Sequence, residues 1–125
     1  MTSNAVGGTR RRTSVTATIA SGAALSDAID VRAYGAGIVI MPAAWTTADL
    51  GLQVCPTATG TFAPLRDTSN GYSTDVSVDA AEAGPAYPLP DYIFAAGYIK
   101  LWSHNGSGVD VNQAAERTFT VMLKA

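Results

Sequence analysis

His104 is the single histidine of this chain and Cys55 its single cysteine. Zinc sites gather several His and Cys side chains or add carboxylates to them, so neither residue has the company such a site needs. His104 follows Trp102 and abuts the turn dipeptide Asn105-Gly106, which predicts a surface position at a strand end. Cys55 falls in an alternating stretch, away from any helix N-terminus that would lower its thiol pKa. "GSG" at 106–108 lacks the flanking residues of a nucleophile elbow, and neither common glycine-rich phosphate loop occurs. Asp75 and Asp79 share a strand face, but four residues of extended chain separate their α-carbons by about 13 Å. Glycosidase carboxylates stand about 5–9.5 Å apart, so a solvated outer face explains this pair better. A D-x-D-x-D-G calcium loop is also missing from the sequence. The expectation is a protein that is not an enzyme and takes no cofactor and no metal.

Two groups of residues are better suited to binding than to bond-making. Arg10, Arg11 and Arg12 are consecutive and supply three of the eight Lys and Arg in the chain. Such a run is either a solvated entry to the first strand or a grip on a partner, where guanidinium forks hold carboxylates bidentately. A short arm that orders on contact gains affinity without a large rigid face. Trp45, Trp102, Tyr34, Tyr72 and Tyr92 could stack on sugar rings, and Trp45, in the loop "PAAWTTAD", is the best placed of them. No convergent polar set accompanies these aromatics, and aromatic residues equally fill cores and protein interfaces.

The elements that position these residues follow from composition and period. At 125 residues the chain makes one domain with a core of its own. Charged residues are only 14% of it, against about 25% in an average domain. A surface so poor in charge is the kind that becomes interface. The net charge of −2 and the lack of a broad basic face argue against nucleic acid as partner. No apolar run is long enough for a membrane span or a signal peptide, which predicts a soluble protein of a cytoplasm or of a particle assembled there.

Residues 1–12 read as a flexible basic arm and 13–125 as one β domain. "TSVTATIAS" alternates Val15, Ala17 and Ile19 with threonine, and "AIDVRAY" alternates Ile29 and Val31 with charge. "GIVIMP" is apolar throughout, predicting a strand covered on both faces. "DLGLQVCP" sets Leu50, Leu52 and Val54 inward, and "STDVSVD" does the same with Val76 and Val78. "GYIKLWS" places Tyr98, Lys100 and Trp102 on one face and Ile99 and Leu101 on the other. "RTFTVMLKA" closes the chain with Phe119, Val121 and Leu123 in phase. Asn70-Gly71 and Asn105-Gly106 are turn dipeptides, and "AALSDAI", "DAAEAG" and "NQAAER" suggest single helical turns. About eight short strands without a long helix predict an all-β antiparallel β-sandwich or jelly roll.

The stretches "GIVIMPAAWTTADLGLQVCPTATGTFAPLRD", "GYIKLWS" and "VNQAAERTFTVMLKA" together resemble a group of small virion proteins of tailed bacteriophages. The similarity runs from about Val15 to Leu123 and consists of strand pattern and phrase, with no catalytic signature. Such proteins resemble capsid decoration, or cement, proteins. That resemblance implies a β-sandwich forming homotrimers on the outer capsid surface and bridging subunits of the major capsid protein. It carries no site residues, and the arm lies outside it. The alternatives are a phage tail, neck or fibre component, or a carbohydrate-binding jelly roll, since "GYIKLWS" also resembles a strand of galactose-binding-like domains.

Overall fold

The first and last strands meet. The computed structural model describes residues 11–66 and 77–125. Within them β1 (Arg12–Ile19) runs antiparallel to β9 (Arg117–Lys124) over its whole length, from Arg12 opposite Lys124 to Ile19 opposite Arg117. Alternation drives this pairing, because Ala17, Ile19, Phe119, Val121 and Leu123 turn to one side and are buried there. The intervening chain folds inward on the same plan. β2 (Ile29–Asp30) pairs with β8 (Tyr98–His104), β3 (Ala36–Ile40) with β7 (Ala86–Pro88), and β4 (Asp49–Cys55) with β5 (Ala63–Pro64).

Two antiparallel sheets result, with strand orders β1-β9-β3-β7 and β2-β8-β4-β5; β6 (Ser77–Val78) adds a short pairing to β4. Pairing first with last, second with next to last, and so inward is the jelly-roll form of the sandwich. The expected all-β class and the expected alternation in β1 and β9 are therefore what is found. Between the sheets lies a core that includes Ile19, Val39, Leu50, Leu101, Phe119 and Val121. Ile93 reaches it from a 3-10 helix, Asp91–Ala95, the only helical segment among the described residues.

That helix was not expected, and the three helical turns that were expected are absent. "AALSDAI" lies extended beside β8, where Ser26 donates its N–H to the Leu101 carbonyl and Ser103 donates to that of Ala24. "NQAAER" is likewise extended, with Gln113 donating to the Ala23 carbonyl and accepting from Gly22. "DAAEAG" forms a turn at Ala80, whose positive φ of 47° is held by its N–H donating to Asp49 Oδ1. In each case a long-range hydrogen-bond partner outcompetes the weak local helix.

Three further expectations are corrected. "GIVIMP" is not covered on both faces: Ile38 points outward and is 42% exposed. The turn dipeptide Asn105-Gly106 does not make a two-residue turn: His104 bridges to Asp110 around a longer loop, 105–109, with positive φ at Gly106 and Gly108. His104 is not a surface residue. It is completely buried, because the chain from Asn105 to Val111 turns back along β8 and closes over it. Arg10, Asn70-Gly71, Tyr72, Asp75 and Val76 lie outside the described residues.

Candidate interaction surface

The outer faces of the two sheets differ in what covers them. On the β2-β8-β4-β5 sheet, Gly51 stands opposite Trp102, and its missing side chain leaves room above β4. Trp102 and His104 stack in that space with ring centroids 4.2 Å apart and planes 23° apart. Trp102 donates its indole N–H to Asp110 Oδ1 at 2.7 Å, and His104 Nδ1 accepts the Gly106 N–H at 3.0 Å. An acceptor at Nδ1 assigns the ring proton of the neutral imidazole to Nε2. Nε2 is buried without a hydrogen-bond partner and rests over Gly51, where a Cβ would lie 2.6 Å from it. Loops therefore seal much of this face, and Trp102, expected on the same face as Tyr98 and Lys100, is buried on it.

On the opposite face of β8, Gln113 binds Ser103. Its Nε2 donates to the Thr46 carbonyl and to Ser103 Oγ, while Oε1 accepts from the Thr46 N–H and from Arg117 Nε. One buried amide thus joins the 43–48 loop to β8 and β9. Trp45 sits on that loop, half-buried, with its ring in a T-shaped contact with Phe119, centroids 5.6 Å apart, and its N–H donating to the Ala48 carbonyl at 3.2 Å. Its ring and its one polar group both have partners inside the domain.

Among the described residues nothing covers the outer face of the β1-β9-β3-β7 sheet. β1 and β9 send their even-numbered side chains to it, and so does β3, which places Ser14, Met122, Ile38 and Pro88 in one row across the sheet. Ile38 and Met122 are 42% and 38% exposed, two of the four large apolar side chains left open among the described residues. The next row, toward the start of β1, is Arg12, Lys124 and Ala36. A groove of about 610 Å³ lies over these rows, lined by Arg12 and Ser14 of β1, Met122 and Lys124 of β9, and Ala36 and Ile38 of β3.

Charge on this sheet has one sign. Its four strands read RTSVTATI, RTFTVMLK, AGIVI and AYP, with Arg12, Arg117 and Lys124 and no carboxylate. Arg117 is held by Gln113 and Thr46, which leaves Arg12 and Lys124 on the open face. Ala125 donates its N–H to the Arg11 carbonyl, so strand pairing already reaches Arg11 and β1 itself starts at Arg12, the last residue assigned to the arm. Arg11 is exposed beside it. Of the three arginines, the structure thus fixes Arg12 to the sheet and sets Arg11 at its margin.

Lys124 was not singled out from the sequence. The signal was available only through pairing, since Arg12 and Lys124 are neighbours solely because the first strand lies on the last. Arg32, by contrast, has a carboxylate partner. Arg32 donates to both carboxylate oxygens of Asp30, at 3.0 and 2.8 Å, and lies 5.0 Å over the Tyr98 ring. Those hydrogen bonds from Arg32 hold the Asp30 carboxyl at about 2, below its ordinary 3.8. Among the described residues no three His, Cys, Asp or Glu side chains converge as a metal site requires.

These features define a class: a jelly-roll sandwich with one outer face largely sealed by loops and one that the described residues leave open, basic and partly apolar. No family model and no curated protein matches the sequence. Among solved structures, the crystal structure of the SPBc2 prophage-derived protein YomS is similar, with a TM-score of 0.62 and 13% identity. The match covers 98% of this chain and all of that one. At this identity the likeness is one of fold.

Proposed function

We propose that this chain is a structural protein of a tailed-phage particle that acts by contact, as a decoration protein bound to the outer surface of the capsid shell. The observation that carries this reading is the juxtaposition of Arg12 and Lys124 on a sheet face without carboxylates, beside exposed Ile38 and Met122. Two cations set opposite each other, with no Asp or Glu on the strands of their sheet, are unfavourable in the free protein and become favourable against an acidic partner. The apolar strip beside them gains from being covered. Further support comes from the resemblance of its sequence to phage virion proteins and from its fold likeness to a prophage protein. Fold by itself assigns no role, so the argument rests on the face.

In this role the partner is the major capsid protein, and binding the assembled shell but not its free subunits stabilises the shell by mass action. Repetition over a symmetric lattice multiplies a weak contact. The test is occupancy on purified shells over a range of salt for the unaltered protein and for an Arg12→Ser, Lys124→Ser variant. Loss of occupancy and a flatter salt response are expected. Undiminished binding with the same salt dependence would remove this face from the contact. Cryo-microscopy that finds a few copies at the tail, with none on the head, would replace decoration with a tail role.

A further inference from the structure

We propose that β1 pairs edge to edge with β1 of a second copy of this chain, antiparallel about a two-fold axis at Ser14. Among the described residues β1 is an edge strand, with β9 on one side. Ala125 bonds the Arg11 carbonyl, so the odd-numbered residues of β1 exchange their backbone hydrogen bonds with β9. The even-numbered ones point their N–H and C=O groups away from the sheet. Thr18 confirms this: its N–H donates to Asp27 Oδ1 at 2.7 Å and its carbonyl accepts the Asp27 N–H at 3.3 Å. Asp27 thus closes the edge at Thr18, and among the described residues nothing pairs with Arg12, Ser14 and Thr16, which are exposed before it.

The other described edges are protected. β7 is three residues long, contains Pro88 and follows Pro85. β2, β5 and β6 are two residues each, and β5 contains Pro64. Proline and brevity are the usual means of blunting an edge, and β1 has neither.

A second β1 is the occupant that the charges select. Pairing about Ser14 sets Arg12 opposite Thr16 of the partner subunit and Ser14 opposite Ser14 of the partner subunit. That register uses all three open residues, each pair exchanging two hydrogen bonds, and keeps the arginines of the two copies apart. It also carries the basic start of each β1 toward Asp27, at the far end of the other copy's edge. A groove of about 560 Å³, lined by Val15, Ile29, Asp30 and Tyr34, opens beside the edge between the two sheets. The inward side chains of the added strand, Thr13 and Val15, would fill it and cover the half-buried Val15 of the first copy. A two-fold pair closes on itself, whereas a three-fold ring through this edge needs a different acceptor edge.

The test is the mass of the purified full-length protein in solution with three variants. The unaltered protein is expected to be a dimer. Ser14→Pro removes an N–H that serves the edge and not the β9 ladder, so a folded monomer is expected. Ser14→Cys, on mild oxidation, is expected to give a covalent dimer, because opposed residues of such a pair lie about 5.5 Å apart at Cα, within disulfide reach. Thr16→Cys is expected to give none, its counterpart lying about 13 Å along the strands. A monomeric unaltered protein, a trimer, an oligomer that survives Ser14→Pro, or equal cross-linking at both positions would overturn the proposal. If Ser14→Pro does not fold, the cross-linking pair decides alone. No shell is present in these measurements, so their outcome is independent of the decoration reading.

Discussion

Arg12 and Lys124 stand directly opposite each other where β1 meets β9, at a position whose backbone groups do not bond across the ladder. Such non-hydrogen-bonded pairs bring Cα atoms to about 4.5 Å, the closest approach in an antiparallel sheet. Like charges there are unfavourable by a few tenths of a kcal/mol, up to about 1. Replacing Arg12 with Ser is therefore expected to leave the melting temperature unchanged or to raise it slightly. Added salt should raise the melting temperature of the unaltered protein more than that of the variant. A variant that melts clearly lower would mean that Arg12 stabilises the fold and that its position needs no partner to explain it.

Gln113 makes a second expectation. Its amide satisfies the Thr46 N–H and carbonyl, Ser103 Oγ and Arg117 Nε from a fully buried position. Gln113→Leu keeps much of the volume and removes every one of these bonds. Each buried group left without a partner costs about 1–3 kcal/mol, so the loss should exceed about 2 kcal/mol in urea unfolding. Because the amide joins the 43–48 loop to β8 and β9, backbone amides of that loop should also exchange faster in the variant.

The Asp30–Arg32 pair gives a pH expectation. The carboxyl is held at about 2 instead of 3.8 by hydrogen bonds from Arg32. A lowered pKa in the folded state means that the stabilisation is complete above about 3.8 and disappears as pH falls through about 2. Both side chains are exposed, 49% for Asp30 and 63% for Arg32, so solvent screens the pair and its effect on overall stability is small. Carboxyl chemical shifts should show Asp30 titrating near 2, and Arg32→Ala should return it toward 3.8. An unmoved midpoint in that variant would mean that Arg32 is not the cause.

Much of this fold was legible because alternation survives wherever one face is core and the other is solvent. β1 and β9 are such strands, and Ala17, Ile19, Phe119, Val121 and Leu123 were placed correctly by period alone. The pattern fails where a loop covers the second face. Trp102 and His104 occur at even positions of β8, which period assigns to solvent, and only the return of residues 105–111 along β8 buries them. The opposite failure occurs at Ile38, where an apolar run suggested two covered faces and one is bare. The interaction surface was half legible. Arg12 stood out as part of a run, whereas Lys124 gained meaning only through a pairing between residues at opposite ends of the chain.

His104 and Gly51 allow the sharpest check on the sealed face. A Cβ at position 51 would lie 2.6 Å from His104 Nε2 and 3.1 Å from Trp102, so the stack exists because position 51 has no side chain. Gly51→Ala should force the rings apart and destabilise by about 1–3 kcal/mol, the usual cost of overpacking. His104→Ala alone should also destabilise, by opening a cavity and by leaving the Gly106 N–H without its acceptor. Combined, the two changes should cost less than their sum, since the methyl group then enters space that the imidazole vacated. A coupling energy of at least about 0.5 kcal/mol is expected for residues in contact. Strict additivity in urea unfolding would mean that the two do not touch, and that the 105–111 segment does not press His104 onto β4.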